Sequence, residues 1–194
     1  LYIRINPLDS DAYDEDIKLI NHLNISGIVL PKATRKAIEA TTKVTHLPII
    51  ALMESPEGFL DIAYIAKHKK VIGLLLGAED LAQSMGLKRT EEGHEILYMR
   101  SQIVLTAKAY QKLAIDTPYT NIHNNEGLKK DAMFAKTLGF DAKASIHPNH
   151  IDTIHHAFSP TKDEILTAER IVHYANKHAT MRFSLDGKMV DKPI

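Results

Sequence analysis

The sequence predicts an α/β protein of the (β/α)8 barrel class, and three observations carry that prediction. Short apolar, β-branched runs alternate with amphipathic helical segments along the chain, an order that requires a parallel sheet. Polar residues stand at the carboxyl ends of most of those runs: Arg4 and Asn6, Lys32, Glu54, Asp80, Asp116 and His147. In a barrel that rim is the face where chemistry is placed. No run is followed by a glycine-rich dinucleotide fingerprint, because Gly73 and Gly77 lack the third glycine and its spacing. That disfavours the alternative, a doubly wound open sheet.

The elements follow in order. Residues 2–5 form the first strand, and 16–23 the first helix, with Ile17, Ile20 and Leu23 at helical spacing. Residues 27–30 and 34–43 repeat the pattern as strand and helix. The run 49–53 is apolar on both faces, as a buried parallel strand should be, and a helix over 58–68 follows it. Strand 71–76 leads into a short helix, 79–85. The long helix 95–112 offers Ile96, Met99, Ile103, Leu105 and Ala109 as a buried face. Strand 113–116 precedes a helix over 126–138, which Gly139 stops. The sixth strand is 142–146. Beyond His147 come two helices, 149–158 and 160–178, broken at Ser159-Pro160. A polar tail, 180–194, turns at Asp186-Gly187. The expected organisation is six β/α units over 1–158, then a C-terminal helix and tail over 159–194. Six units are two short of a closed barrel, and Leu1 falls inside a strand-like run, so two further units are expected upstream of Leu1.

Bulk properties narrow the function. The chain has 194 residues, enough for one sizeable core, with 44% hydrophobic and 25% charged residues. Its formal net charge is zero. Nucleic acid and anionic membranes both demand a basic field, so neither is expected as partner. No apolar run approaches the ~20 residues of a membrane helix. There are no cysteines, which excludes disulfides, thiolate metal sites and a cysteine nucleophile, and fits a cytoplasmic address.

Two carboxylates stand out. Glu54 closes the run Ile49-Ile50-Ala51-Leu52-Met53, and Asp80 follows Leu74-Leu75-Leu76-Gly77-Ala78-Glu79. Neighbouring barrel strands bring their rims together, and two carboxylates in one apolar cleft repel unless a cation intervenes. Oxygen ligands without His or Cys suit magnesium. The alternative is structural: Glu54 caps the helix beginning near Pro56, and Asp80 sits in an ordinary helix N-terminus. Arg4 in the mouth of a barrel would clamp a substrate carboxylate, or pair with one of the two acids. Gly77 and Ala78 would let a ligand approach the backbone N–H groups of a helix start, or serve tight packing. Lys32 would meet a phosphate or carboxylate, or is a surface lysine. Asp116 orients a ligand or caps the turn Thr117-Pro118, with the cap favoured. A zinc site at His147 and His150 is disfavoured because Pro148 intervenes and no third ligand is evident. His147 is instead expected to fix the turn after the last strand.

Taken together the motifs resemble a known family. Arg4-Ile5-Asn6 resembles its V-R-x-N strand, Leu30-Pro31-Lys32 its L-P-K, and Glu54-Ser55-Pro56-Glu57-Gly58 its I-E-T-x-x-G. Gly77-Ala78-Glu79-Asp80-Leu81 resembles G-x-E-D-L, and Ala114-Ile115-Asp116 resembles A-I-D. Gly139-Phe140, Lys143 and Ile146-His147-Pro148 resemble G-F-x-G-K-x-x-I-H-P, and the segment from Asp186 to Asp191 resembles the tail D-G-x-M-V-D. The set is ordered, runs the length of the chain and is similar to the HpcH/HpaI aldolase and citrate lyase β-subunit family. Ala142 replaces a family glycine and His150 a usual glutamine.

The resemblance implies a TIM barrel with Mg2+ held by Glu54 and Asp80, and substrate held by Arg4 and the Gly77–Asp80 backbone. It implies a carbon–carbon lyase acting on a citryl, citramalyl or malyl thioester of CoA or an acyl carrier. It also implies acid/base work by Asp191, often from a neighbouring subunit, in a homotrimer or hexamer. Synthase or thioesterase chemistry at the same site, and a non-catalytic scaffold subunit, are the alternatives.

Overall fold

The computed structural model describes residues 1–178 and 182–191. Strands β1 (Tyr2–Arg4), β2 (Gly27–Leu30), β3 (Ile49–Met53), β4 (Val71–Leu76), β5 (Leu113–Asp116) and β6 (Ala142–Lys143) form one sheet in sequential order. Every neighbouring pair is parallel. A doubly wound sheet reverses its order at a switch point, and this one never does. Right-handed crossovers that all step the same way put every helix on one face. The opposite face must then be covered by the sheet curling on itself. All five residues of β3 are accordingly buried.

Between the strands lie α1 (Tyr13–Ile20), α2 (Arg35–Val44), α3 (Pro56–Leu60), α4 (Ile62–Lys67), α5 (Ala78–Met85), α6 (Leu97–Ala109) and α7 (Asn125–Leu138). Local chemistry starts and stops them. Thr34, Ser55 and Asn124 accept the N–H groups of Ala37, Gly58 and Gly127 as N-caps. Gly139 ends α7 in the left-handed region at φ 99°. The core runs through Ile28, Ile49, Met53, Leu74 and Leu76 of the sheet to Ile38, Ile65, Leu81 and Ile103 of the helices.

Several elements differ from expectation. The helix over 58–68 is two helices that break at Asp61, whose carboxylate accepts the Arg35 N–H at 3.0 Å. The first helix begins at Tyr13 rather than at 16, where the Tyr13 hydroxyl is buried against Thr41 Oγ1 at 2.8 Å. The sixth strand stops at Lys143, and Ile146 is largely exposed.

After β6, a 3-10 turn and α8 (Ile151–Phe158) complete a first compact unit, Leu1–Phe158. A second unit, Ser159–Ile194, holds α9 (Lys162–His178) and an antiparallel hairpin of β7 (Phe183–Leu185) and β8 (Lys188–Val190). Positive φ at both Asp186 and Gly187 makes the hairpin turn. Much of the expected polar tail is therefore sheet, while residues 180–181 and 192–194 lie outside the described residues. No described helix is long and apolar enough to cross a membrane.

Candidate active site

The sheet register assembles a cleft at the carboxyl ends of the strands. Met53 pairs with Leu76, and the Gly77 N–H donates to the Met53 carbonyl at 3.0 Å. Glu54 therefore rises beside Gly77, and the first turn of α5 carries Asp80 next to it. Leu75 pairs with Ile115 on the other side, which brings Thr117 to the start of α5. The resulting cleft, about 320 Å3, is lined by Arg4, Glu54, Gly77, Asp80, Thr117 and Ser145 with an apolar floor of Leu52, Leu75 and Leu76.

Glu54 is 7% exposed. Its Oε1 accepts the Lys32 N–H at 2.7 Å. The helix cap expected of Glu54 as an alternative belongs to Ser55, whose Oγ accepts the Gly58 N–H at 3.1 Å. Burial pushes the Glu54 carboxyl above the usual carboxylate range. The neighbouring Asp80 carboxylate pushes it further, while the Lys32 N–H and Arg4 oppose the rise. Two carboxylates on the wall of one cleft are an arrangement that suits a cation.

Gly77 is required by this approach. A Cβ there would stand 2.6 Å from Glu54 Cβ and 3.0 Å from Glu54 Oε2. The N–H groups of Gly77 and Ala78 are engaged within the fold, on the Met53 carbonyl and on Thr117 Oγ1. The next two, of Glu79 and Asp80, begin a helix and lack intrahelical acceptors. Lys32 acts through its backbone: it holds φ at 44°, unusual for a side-chain-bearing residue, and aims its N–H at Glu54. Arg4 lines the cleft but forms no ion pair among the described residues.

Other sequence candidates fall elsewhere. Asn6 donates its N–H and Nδ2 to Asp16, which anchors a loop. Asp116 caps no turn; it is fully buried in an ion cluster with Arg100, Asp131 and Lys143. That cluster escaped the sequence reading, because Arg100 and Asp131 look like ordinary surface positions on helices. Thr117, in sequence only part of the turn Thr117-Pro118, also lines the cleft. His147 Nδ1 accepts the Asn149 N–H at 3.2 Å and so fixes the turn after β6. Among the described residues no three His, Cys, Asp or Glu side chains converge as a metal cluster. Asp191, in the second unit, accepts from Arg182 Nε at 3.1 Å.

A parallel sheet wound in one direction, with a buried Glu54 carboxylate and the exposed Asp80 carboxylate lining one cleft at its carboxyl rim, places this chain among the α/β proteins that keep their polar site at that end of the strands. Comparison with known proteins is more specific. The model of the HpcH/HpaI aldolase/citrate lyase family matches residues 1–148. The citrate lyase subunit beta of Haemophilus influenzae is 33% identical, over 99% of this chain and 72% of its own. The (3S)-malyl-CoA thioesterase of Cereibacter sphaeroides is 29% identical, over 97% of this chain and 68% of its own. The structure of CitE from Mycobacterium tuberculosis in complex with magnesium, acetoacetate and coenzyme A is similar at a TM-score of 0.85 and 29% identity, covering 99% of this chain and 73% of that one. The chain belongs to the HpcH/HpaI aldolase/citrate lyase family.

Proposed function

We propose that this protein is a Mg2+-dependent carbon–carbon lyase that cleaves a citryl, citramalyl or malyl thioester, of CoA or an acyl carrier, to an oxo acid and an acetyl thioester. One observation carries the reading most: the buried Glu54 carboxylate and Asp80 line one solvent-open cleft, with Arg4, at the carboxyl ends of the strands. Two hard oxygen donors with no nitrogen or sulfur among them fit magnesium, which keeps its remaining positions for water and substrate oxygens. The solved relatives named with magnesium, one with oxaloacetate, support the assignment of Glu54 and Asp80 as its holders. When bound, the ion supplies Lewis-acid polarisation and a template for adjacent oxygens.

The chain's own residues do the rest. Arg4, which lines the cleft, receives a substrate carboxylate and offsets charge that develops on the oxo-acid oxygens. Gly77 and Ala78 keep the wall low enough for substrate to reach the N–H groups at the start of α5. Lys32 serves through the N–H that holds Glu54. Leu52, Leu75 and Leu76 keep water from the reacting carbons. The Asp191 carboxylate, from a neighbouring copy, takes the hydroxyl proton. The hydroxyl oxygen becomes the carbonyl of the oxo acid as the carbon–carbon bond breaks, and the bonding pair passes to the thioester α-carbon, which is then protonated.

A closed barrel requires two further β/α units between β6 and β1, and we place them ahead of β1. A homotrimer or hexamer in the cytoplasm completes the proposal. Exposed Ile165, Leu166 and Val172 on α9 offer apolar surface for such an assembly. A second reading, thioester hydrolysis, draws on the relatives named as malyl-CoA thioesterases. Product analysis with citryl, citramalyl and malyl thioesters, with and without Mg2+, tests both. Lyase activity yields acetyl thioester and oxo acid, hydrolysis yields free thiol and hydroxy acid, and no turnover of any of the three defeats the proposal.

A further inference from the structure

What holds the start of α5, and with it Asp80, lies outside the carboxylate pair. The Ala78 N–H donates to Thr117 Oγ1 at 3.2 Å, a buried bond between positions 39 residues apart. Ala78 is fully buried, so water cannot replace that acceptor. Thr117 is itself 1% exposed, and its carbonyl accepts from Lys143 Nζ at 2.7 Å. The same ammonium donates to Asp116 Oδ2 at 2.7 Å and pairs with Asp131 Oδ2 at 2.6 Å. Arg100 reaches Asp116 through Nε and Nη2 at 3.0 and 2.9 Å, and Asp131 through Nη2 at 2.7 Å. Two cations and two anions thus tie α6, β5, α7 and β6 together behind the cleft wall. Moving any one of them leaves an uncompensated buried charge, which makes the cluster a stiff support.

We propose that Thr117 is a positioning residue for the Glu54–Asp80 pair: its hydroxyl fixes the first peptide of α5, and so the aim of the Asp80 carboxylate, while the Arg100–Asp116–Asp131–Lys143 cluster fixes Thr117. The inference rests on the proposed metal-holding role of Glu54 and Asp80. Asp80 lies two residues beyond Ala78, and a functional constellation tolerates errors of only about 0.5 Å. Freed from Thr117, the first turn of α5 loses its tether to β5 and its carboxylate becomes less well aimed.

Titration calorimetry with MgCl2 on the full chain, paired with thermal unfolding in EDTA, separates aim from stability. Thr117→Val keeps the shape and removes the acceptor; Thr117→Ser keeps the acceptor and removes a methyl. Thr117→Ala serves where the valine variant does not fold. The expected result is Mg2+ affinity weakened about tenfold in Thr117→Val and restored to within about twofold of the unsubstituted protein in Thr117→Ser. A valine or alanine variant that melts earlier yet binds Mg2+ with unchanged affinity overturns the inference and leaves Thr117 a structural residue. A serine variant as weak as the valine one also overturns it. Failure of the unsubstituted protein to bind Mg2+ removes the metal reading itself, and this inference with it.

Discussion

Gly77 follows Leu76, the register partner of Met53, and lies beside the Glu54 side chain, so a Cβ added there stands 2.6 Å from Glu54 Cβ. Gly77→Ala must therefore push Glu54 aside. We expect it to destabilise the fold by about 1–3 kcal/mol and to weaken Mg2+ binding at least about tenfold, read by denaturant titration and calorimetry. Glu54→Gln works in the opposite sense on stability. It removes a buried charge that Asp80 repels, so the metal-free protein should gain about 1 kcal/mol while Mg2+ affinity falls by at least about a hundredfold. A variant that loses stability and keeps its metal would contradict this account. Both carboxylates were legible in the sequence because each follows a fully apolar strand. Thr117 was not, because its role depends on the β4–β5 register, which no local pattern records. The bond from the Lys32 N–H to Glu54 was also hidden, since a backbone contact between strands leaves no mark on residue type.

The elements behind the cleft are held by charge as well as by apolar packing. Lys143 on β6 and Arg100 on α6 are each at most 7% exposed, and each bonds to both Asp116 and Asp131. Lys143→Met leaves two buried carboxylates with one cation, and its cost should be about 3–5 kcal/mol in denaturant titration. The segment between α5 and α6 depends on a different acid. Burial alone would raise Glu95, but hydrogen bonds from the Thr90 hydroxyl and N–H, together with Arg89, hold its carboxyl down to about 2. A depressed carboxylate lends stability above its unfolded value, and that stability is lost as pH falls toward the folded value. The stability difference between the protein and Glu95→Gln should therefore shrink as pH drops from about 4.5 toward 2; a difference that stays constant would sink the assignment. Strand positions were readable from apolar, β-branched runs, and helix ends from Gly139 and the Ser, Thr and Asn caps. The start of α1 and the break at Asp61 were not, because tertiary bonds to Thr41 and Arg35 set them. The β7–β8 hairpin was visible only as its Asp186-Gly187 turn.

The six parallel strands step round in chain order without a reversal, and their carboxyl ends converge on one cleft. That winding was inferable from β/α alternation and the missing dinucleotide fingerprint; the shortness of β6 was not, since the chain leaves the sheet after the bond from the Ala144 N–H to the Asp116 carbonyl although apolar Ile146 follows. If the cleft binds Mg2+ in the folded state alone, the ion must raise the unfolding temperature. At a hundred times its dissociation constant it should add about 2.7 kcal/mol, seen by calorimetric scanning, and Ca2+-free EDTA should reverse the gain. The central claim is that one divalent ion sits between Glu54 and Asp80. Anomalous scattering from a crystal grown with Mn2+, a heavier substitute for the same oxygen ligands, tests it most directly. The account predicts a single strong peak bridged by those two carboxylates beside Arg4. A peak elsewhere in the molecule, or none with the cleft otherwise ordered, would contradict it.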